Sequence, residues 1–184
     1  RAGFDQWLSA RAQRAGARIL TEAPVDEVIW KNGRPVGVKV RRPGGDVFAP
    51  CVILADGANS LLGKKAGLRA DYKAGQMSLA VKEVIKLPKE TIDARFGLNL
   101  EEGAAFSIIG EATQGLEGGA FLYTNRESLS LGLVCHMDAL IREKVKIRTL
   151  LDRFKQIPLI SSLVQGGVLK EYSAHLIPTL GFQE

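Results

Sequence analysis

Several features that define whole classes of protein are missing from this sequence of 184 residues. Its longest uninterrupted apolar run has five residues, 51–55, far short of the roughly 18 that a membrane-spanning helix needs. The opening residues do not form a secretory signal, because Asp5 lies where the apolar region would begin. There is no internal repeat and no low-complexity segment. With 46% hydrophobic and 24% charged residues, the composition is that of a globular chain and excludes disordered, collagenous and coiled-coil proteins.

Cysteine is scarce as well. Cys51 and Cys135 are the only two, and no CxxC spacing is present, so this chain cannot supply a four-cysteine zinc or iron–sulfur site. Cys135 and His136 are neighbours whose side chains would point to opposite sides of a strand, which also argues against a metal site. No metal is therefore expected, and a reducing, cytoplasmic compartment is the expected location.

The net charge of +5 is concentrated at one end of the chain. Residues 1–43 hold nine basic and four acidic side chains, and 9 − 4 accounts for the whole surplus. Spread-out basic residues on helix and hairpin faces are typical of a solvated surface. No aromatic residues are interleaved with them to stack on bases, so nucleic-acid binding is not expected.

The first part of the chain predicts a helix followed by a β-meander. Phe4, Trp7 and Leu8 have the spacing of a helix with one buried face, and Gly16 is placed to end that helix. A short strand is expected at 17–20. Alternating valines and Asn-Gly and Pro-Gly-Gly turns then predict three antiparallel strands, at 25–30, 36–40 and 46–49.

The segment 51–55 differs because it is apolar at every position, as in a strand that is buried on both faces of a parallel sheet. The sequence Ala-Asp-Gly-Ala-Asn-Ser follows at 55–60, and a helix is expected at 60–66. A strand that runs into a glycine-containing turn and then a helix is where open α/β sheets bind ligands. Gly57 would let the backbone approach a ligand closely, and amide groups at such a turn can face a pyrophosphate. An ordinary turn is the alternative.

From about residue 76 the pattern changes to long strands and short helices. This part predicts an α+β layer with a wide sheet, and a boundary near 68–75. The predicted strands lie within 76–87, 119–136 and 168–177, and the predicted helices at 147–156 and 159–164.

These motifs resemble the flavoprotein monooxygenase and geranylgeranyl-reductase group of FAD enzymes, and more narrowly its FixC-type branch, the relatives of electron-transfer flavoprotein:quinone oxidoreductase. The resemblance covers nearly the whole chain. The first motif is an arginine followed by a helix, a meander and the sequence Ala-Asp-Gly-x-Asn-Ser, and this order is widespread among flavoproteins. The later motifs are more specific. Those later motifs lie at 81–88, 95–96, 119–125, 128–132 and 171–178.

The resemblance implies an FAD-dependent enzyme that accepts electrons from an electron-transfer flavoprotein and passes them toward a quinone or a ferredoxin-like protein, with peripheral membrane contact. Asp56 and Gly57 are expected beside the FAD pyrophosphate, Arg1 near the FAD phosphates and Val25 near the adenine. Lys82 and Tyr123 are candidates for the flavin or quinone cavity, with ordinary sheet positions as the alternative. No catalytic acid, base or nucleophile is implied, because the cofactor carries the redox chemistry.

The G-x-G-x-x-G turn of this family is absent, as is the later Gly-Asp segment. The sequence is therefore expected to be the middle of a protein about twice its length, inactive alone, with FAD bound by the intact protein. The predicted fold class is α/β with α+β: a partial FAD-binding Rossmann-like lobe with a β-meander at 1–67, and a larger mixed β-sheet substrate or quinone-facing domain with helices at 68–184.

Two other functions are compatible with the sequence. A prenyl reductase or aromatic hydroxylase on the same scaffold would share Asp56 and Gly57 but not the motif at 121–125. A non-catalytic α+β interaction module would carry the Asp-Gly turn incidentally. If the protein touches a membrane, the helix at 159–164 is the candidate contact through Ile160 and Leu163, and a core helix is the alternative.

Overall fold

The computed structural model describes residues 2–42 and 44–179. The chain divides into two compact units, residues 1–71 (unit 1) and 72–184 (unit 2). Each unit combines helices with an antiparallel sheet, so the predicted combination of α and β structure is confirmed. No helix among the described residues is long and apolar enough to cross a bilayer.

Unit 1 begins with the predicted helix. This helix, α1, covers Ala2–Arg14 and ends in a turn at Gly16, whose φ of +95° is readily adopted only by glycine. The amide of Ala17 donates to the carbonyl of Ala12 and closes the helix end. The predicted strand at 17–20 is wrong, because these residues are exposed and pair with no strand that the structure describes.

The predicted β-meander is confirmed. Its strands β1 (Val25–Lys31), β2 (Arg34–Val40) and β3 (Asp46–Phe48) pair in the order β1-β2-β3, all antiparallel. Asn32 and Gly33 both have positive φ, 52° and 74°, which matches the twist of a tight hairpin. The second predicted turn contains Pro43, which lies outside the described residues.

Two expectations of burial in unit 1 are wrong. The segment 51–55 forms no strand, and its residues alternate between exposed and half-buried, because no strand of the described chain pairs with it and both its edges are open. The apolar face of α1 is exposed too, with Phe4 60% and Trp7 49% accessible. Apolar spacing predicts the helix correctly, but burial needs a partner surface that the described part of unit 1 does not provide.

Unit 2 is built on a five-stranded antiparallel sheet with strand order β5-β6-β7-β4-β8. The sheet was expected to be mixed, and this detail is wrong: the long strands are adjacent antiparallel partners, and β6 and β7 are joined by a tight turn at Arg126 and Glu127. The bounds of its strands are β4 (Met77–Lys86), β5 (Ala105–Ile108), β6 (Gly118–Asn125), β7 (Ser128–His136) and β8 (Val168–Pro178).

Helices cover one face of this sheet. Leu129, Leu131 and Leu133 alternate along β7 and all point into the core, where none has any solvent exposure. They pack in one cluster with side chains from every helix of the layer. The helices of this layer are α3 (Lys89–Phe96), α4 (Met137–Arg142), α5 (Ile147–Gln156) and α6 (Pro158–Val164). The remaining helix, α2 (Leu61–Lys65), belongs to unit 1.

The candidate membrane helix at 159–164 is part of this core. Ile160 is 3% exposed and Leu163 is also buried, and both belong to the hydrophobic cluster. The membrane contact assigned to these two side chains is therefore wrong, and the core alternative is confirmed. Arg95 fixes the end of α6 by donating to the carbonyls of Leu163 and Gln165, at 2.9 and 2.7 Å.

One charged side chain is buried beneath the sheet. Glu83 on β4 is 1% exposed and accepts two hydrogen bonds from Lys155 Nζ on α5, at 2.9 and 3.1 Å. Arg148 lies 3.7 Å from the same carboxylate, and its guanidinium sits over the ring of Tyr172 on β8. A buried carboxylate with two cationic partners ties β4 and the edge strand β8 to α5.

The two cysteines lie in different surroundings, as expected for residues that do not share a site. Cys135 is buried in the core and Cys51 is exposed. Burial raises the pKa of the Cys135 thiol to about 11, so this thiol stays protonated and unreactive at neutral pH. His136, its neighbour, lies on the other face of the sheet, and the described residues contain no cluster of three or more metal-ligating side chains.

Candidate functional site

The loop at 56–60 is the part of unit 1 that the sequence singles out, and Asp56 organises it. The amide of Leu62, in the first turn of α2, donates to Asp56 Oδ2 at 3.1 Å. Burial raises the pKa of Asp56, but hydrogen bonds from the backbone of Leu62 and from the Ser60 hydroxyl lower it, and the net pKa is below its ordinary value. Asp56 is therefore ionised at neutral pH and able to accept hydrogen bonds from hydroxyl groups.

Gly57 has a backbone conformation that other residues adopt at a cost. Its φ is +72°, and a Cβ atom added there would meet nothing within 4 Å. The backbone at Gly57 therefore faces free space, which a ligand could approach closely. Close approach of a ligand to the backbone is the property for which the Asp-Gly sequence indicates Gly57 as a binding position.

Arg69 holds the same loop in place. Its guanidinium donates to the carbonyl oxygens of Ala58 and Asn59, at 2.9 and 3.2 Å. Lys64 and Asp71, which lie on either side of Arg69 in the sequence, form an ion pair. Sequence reasoning missed Arg69, because a single arginine has no spacing or motif that indicates a hydrogen bond to a loop about ten residues earlier.

Val25 and Asp56, which are far apart in the sequence, line the same cleft of unit 1. The cleft has a volume of about 400 Å³, and its walls are mainly apolar side chains from the meander and from 51–55. Gly57 is the next residue after Asp56 in the chain and does not itself line this cleft. Arg1, the fourth predicted cofactor-binding residue, lies outside the described residues. The structure thus brings together two of the predicted site residues, with the third adjacent.

Charged groups surround the start of β1 near this cleft. Arg41 forms a two-point hydrogen bond with Asp26, at 2.6 and 3.1 Å, and the Arg41 guanidinium holds the pKa of that carboxyl below its ordinary value. Lys65, at the end of α2, donates to the backbone carbonyl of Asp26 at 3.1 Å. These contacts connect α2 and β2 to the segment that enters the meander, and so position Val25.

The second candidate surface is the face of the unit 2 sheet opposite the helices, called the open face from here on. Strand register determines its members, because directly paired residues of antiparallel strands point to the same side. Lys82 pairs with Gly132, which pairs with Phe121, and one row further Val84, Ser130 and Tyr123 are paired. Lys82 and Tyr123 therefore share this face. Its central members are Ser78, Ala80, Lys82, Val84, Phe121, Tyr123, Ser130, Gly132, Val134, His136, Glu171, Ser173 and His175.

The open face combines aromatic and polar groups. The rings of Phe121 and Tyr123 stack with centroids 5.8 Å apart. The Phe121 ring lies across Gly132, where an added Cβ would be 2.5 Å from the ring. Lys82 Nζ lies 3.7 Å from Glu171 Oε1, and the buried hydroxyl oxygen of Ser173 has no hydrogen-bond partner among the described residues. This arrangement places a flat aromatic surface and a cation on the same face of the sheet.

Solved structures of other proteins share the fold of this chain. The chain aligns over 97% of its length with a geranylgeranyl bacteriochlorophyll reductase-like protein from Thermoplasma acidophilum, at a TM-score of 0.76 and 22% identity, covering 42% of that chain. The flavin-dependent halogenase CmlS aligns over 97% of this chain and 31% of its own, at a TM-score of 0.66 and 22% identity. The chain therefore shares its fold with a part of each of these two proteins.

Sequence comparison names the particular relatives. The chain is 46% identical over 182 residues to protein FixC of Salmonella typhi and 45% identical over 182 residues to FixC of Escherichia coli K12. It is 43% identical over 184 residues to FixC of Azorhizobium caulinodans. These matches cover 98 to 100% of this chain and 42% of each relative, so the chain spans less than half of their length. The resemblance to FixC-type flavoproteins is confirmed, although no family model matches the chain.

Proposed function

We propose that this chain is part of an FAD-dependent oxidoreductase that passes electrons from an electron-transfer flavoprotein toward a quinone or a ferredoxin-type acceptor. The observation that carries the proposal is the identity of 43 to 46% with FixC proteins along the whole chain, which includes the Asp56–Gly57 loop. The flavin-dependent proteins that share the fold support the same cofactor.

The residues of unit 1 fit one part of an FAD site. The cleft lined by Val25 and Asp56 has apolar walls suited to an adenine ring. The ionised Asp56 suits ribose or ribityl hydroxyls, because a carboxylate accepts hydrogen bonds but repels phosphate oxygens. The free space at Gly57 suits close approach of a ligand to the backbone. Asp56, Gly57 and Val25, with Arg1, are accordingly proposed as cofactor-binding residues.

The two units are proposed to have different tasks. Bound FAD supplies the electron-transfer chemistry, whereas the protein supplies position, electrostatics and exclusion of competing reactions. In unit 1, Arg69 and Asp56 hold the loop at 56–60 in one conformation. In unit 2, the stacked Phe121 and Tyr123 and the ammonium of Lys82 offer a planar acceptor a stacking surface and a hydrogen-bond donor.

The test is the spectrum and reactivity of the full-length protein that contains this chain. We expect a stoichiometric flavin absorbance band, and we expect reduced flavin to be reoxidised by a short-chain benzoquinone under anaerobic conditions. The 184-residue chain alone is the control, and it should retain no stoichiometric flavin because it lacks the G-x-G-x-x-G turn. A full-length protein without flavin would contradict the proposal and favour a non-catalytic interaction module.

A second candidate function is reduction of prenyl double bonds. The observation that favours it is the fold shared with a geranylgeranyl bacteriochlorophyll reductase-like protein. The same preparation separates the two functions: a prenyl reductase would be reoxidised by a geranylgeranyl substrate and would yield a saturated product. Reoxidation by benzoquinone with no change in the prenyl substrate supports the quinone-directed function.

A further inference from the structure

We infer that Lys65 determines the preference of the cofactor site for FAD over FMN, because it holds together the two walls of the cleft in unit 1. FAD carries an adenine that this cleft would take, whereas FMN ends at its phosphate and has no adenine. Lys65 does not itself line the cleft, so it is a positioning residue. The inference rests on the proposed function, because it concerns the cofactor site of the same enzyme.

The two walls of the cleft come from separate segments of unit 1. One wall is the meander, with Val25 at the start of β1 and Val38 on β2. The other wall runs from residue 51 through Asp56 to Leu62 on α2. Since residues 51–60 form no strand, strand pairing does not fix their distance from the meander. Other contacts must fix it.

Two hydrogen bonds connect these walls within the described part of the chain. Ahead of the second wall, the amide of Ala49 donates to the carbonyl of Val36 on β2 at 3.0 Å. At its other end, Lys65 Nζ on α2 donates to the backbone carbonyl of Asp26 on β1 at 3.1 Å. The Lys65 hydrogen bond is therefore the one that joins α2 to the meander.

The helix transmits this contact to Asp56. Helix α2 has five residues, little more than one turn, and Lys65 is the last of them. Near its start, the amide of Leu62 donates to Asp56 Oδ2 at 3.1 Å. Because one short helix carries both contacts, the position of Lys65 also fixes the position of the Asp56 carboxylate.

The other end of the contact is fixed as well. The Arg41 guanidinium donates to both carboxylate oxygens of Asp26, at 2.6 and 3.1 Å, and the Arg41 amide donates to the carbonyl of Pro24 at 2.9 Å. Pro24 and Asp26 are the residues on either side of Val25. A continuous set of hydrogen bonds thus runs from Asp56 through Lys65 to the segment that holds Val25.

Walls that are held in place before binding favour the ligand that contacts both of them. Without the Lys65 hydrogen bond, the walls would have to be ordered when the adenine enters, and this ordering lowers the affinity. FMN would not enter the cleft, so its affinity does not depend on the distance between the walls. Loss of Lys65 should therefore weaken ligands that carry adenine and spare FMN.

The test is calorimetric titration of the flavin-free full-length protein with FAD, ADP and FMN. ADP carries the adenine without the flavin, and FMN carries the flavin without the adenine. We expect Lys65→Met to weaken the binding of FAD and of ADP about fivefold, the usual contribution of one hydrogen bond. The affinity for FMN should be unchanged, so the preference for FAD over FMN should fall by the same factor.

Lys39→Met is the matched control, because it removes the same charge near the same carboxylate. The Arg41 hydrogen bond lowers the pKa of Asp26 most, and the charges of Lys65 and Lys39 both lower it further. Lys39 is exposed on β2 and makes no hydrogen bond to Asp26 among the contacts of the described residues. Lys39→Met should therefore leave all three affinities within about twofold of wild type.

The inference is overturned if Lys65→Met behaves like Lys39→Met, or if it weakens FMN as much as FAD, which would indicate a general loosening of the protein. It is also overturned if the wild-type protein binds FAD but not ADP, because the cleft would then not take the adenine half. If wild-type protein binds no FMN, the affinity for ADP decides, and an unchanged value for Lys65→Met overturns the inference. Absence of FAD binding by the wild-type protein overturns the proposed function, and the inference with it.

Discussion

Replacing Lys155 by methionine is expected to lower the free energy of unfolding of unit 2 by about 3 kcal/mol, the usual result of removing one partner of a buried ion pair. Glu83 is 1% exposed and would lose both hydrogen bonds from Lys155 Nζ. Arg148 would remain, but at 3.7 Å and with half of its side chain in solvent. The carboxylate would then be buried without adequate compensation, which destabilises the folded state.

Tyrosine absorbance is the appropriate signal for this denaturation experiment. All three tyrosines, Tyr72, Tyr123 and Tyr172, lie in unit 2, whereas Trp7 and Trp30 lie in unit 1. Lys86→Met, at the exposed end of β4, is the control and should shift the transition little. The double variant Lys155→Met with Glu83→Met should recover most of the loss, because an apolar pair needs no compensating charge. Equal shifts for Lys155→Met and Lys86→Met would show that the buried pair does not stabilise the unit.

Gly57→Ala in the full-length protein is expected to weaken FAD binding at least about tenfold, a change of roughly 1.4 kcal/mol in binding free energy. An alanine methyl group would project into the free space at Gly57, where the proposed ligand approaches the backbone. A positive φ also strains the alanine backbone by about 1–2 kcal/mol, so the effect on binding must be separated from this strain.

Gly67 provides the matched control. Its φ is +70°, against +72° at Gly57, and an added Cβ would also meet nothing within 4 Å. Gly67→Ala therefore carries the same strain in the same unit, and both variants should lose similar thermal stability. Fluorescence titration of the apoprotein with FAD should show weaker binding for Gly57→Ala only. Equal affinities of the two variants would remove Gly57 from the cofactor site.

Elements with both a clear periodicity and their partners nearby in the chain could be predicted from the sequence. The meander has alternating valines and the Asn32–Gly33 turn, so its pairing is local. The helix at Ile147–Gln156 was predicted with the observed bounds because its apolar positions are regular. The elements α3, α4 and β5 were not predicted. Helix α3, for example, has only two large apolar residues, Ile92 and Phe96, which are too few for a periodic pattern to stand out.

The prediction for 51–55 failed for a different reason. Val52 and Leu54 have the composition of a buried strand, but strand formation depends on neighbouring strands that supply hydrogen bonds. The composition of a segment indicates that it can be buried, but it does not indicate whether neighbouring strands are present to pair with it. The same reasoning applies to Trp7 on α1, whose helix was predicted correctly and whose burial was not.

Only those residues of the candidate site that belong to a sequence motif could be predicted from the sequence. Asp56 and Gly57 belong to a recognisable turn, and Asp56 lines one cleft with Val25. Arg69 was not identified because its role depends on contacts across a loop, which leave no periodic signal.

The central claim, that the loop at 56–60 contacts FAD, is tested most directly by hydrogen–deuterium exchange of the full-length protein with and without FAD. The amides of this loop are expected to become strongly protected when FAD binds, together with those around Val25. The turn at Asn32–Gly33, in the same unit, should exchange at the same rate in both states. Unchanged exchange at 56–60, with protection confined to other parts of the protein, would contradict the assignment of Asp56 and Gly57 to the cofactor site.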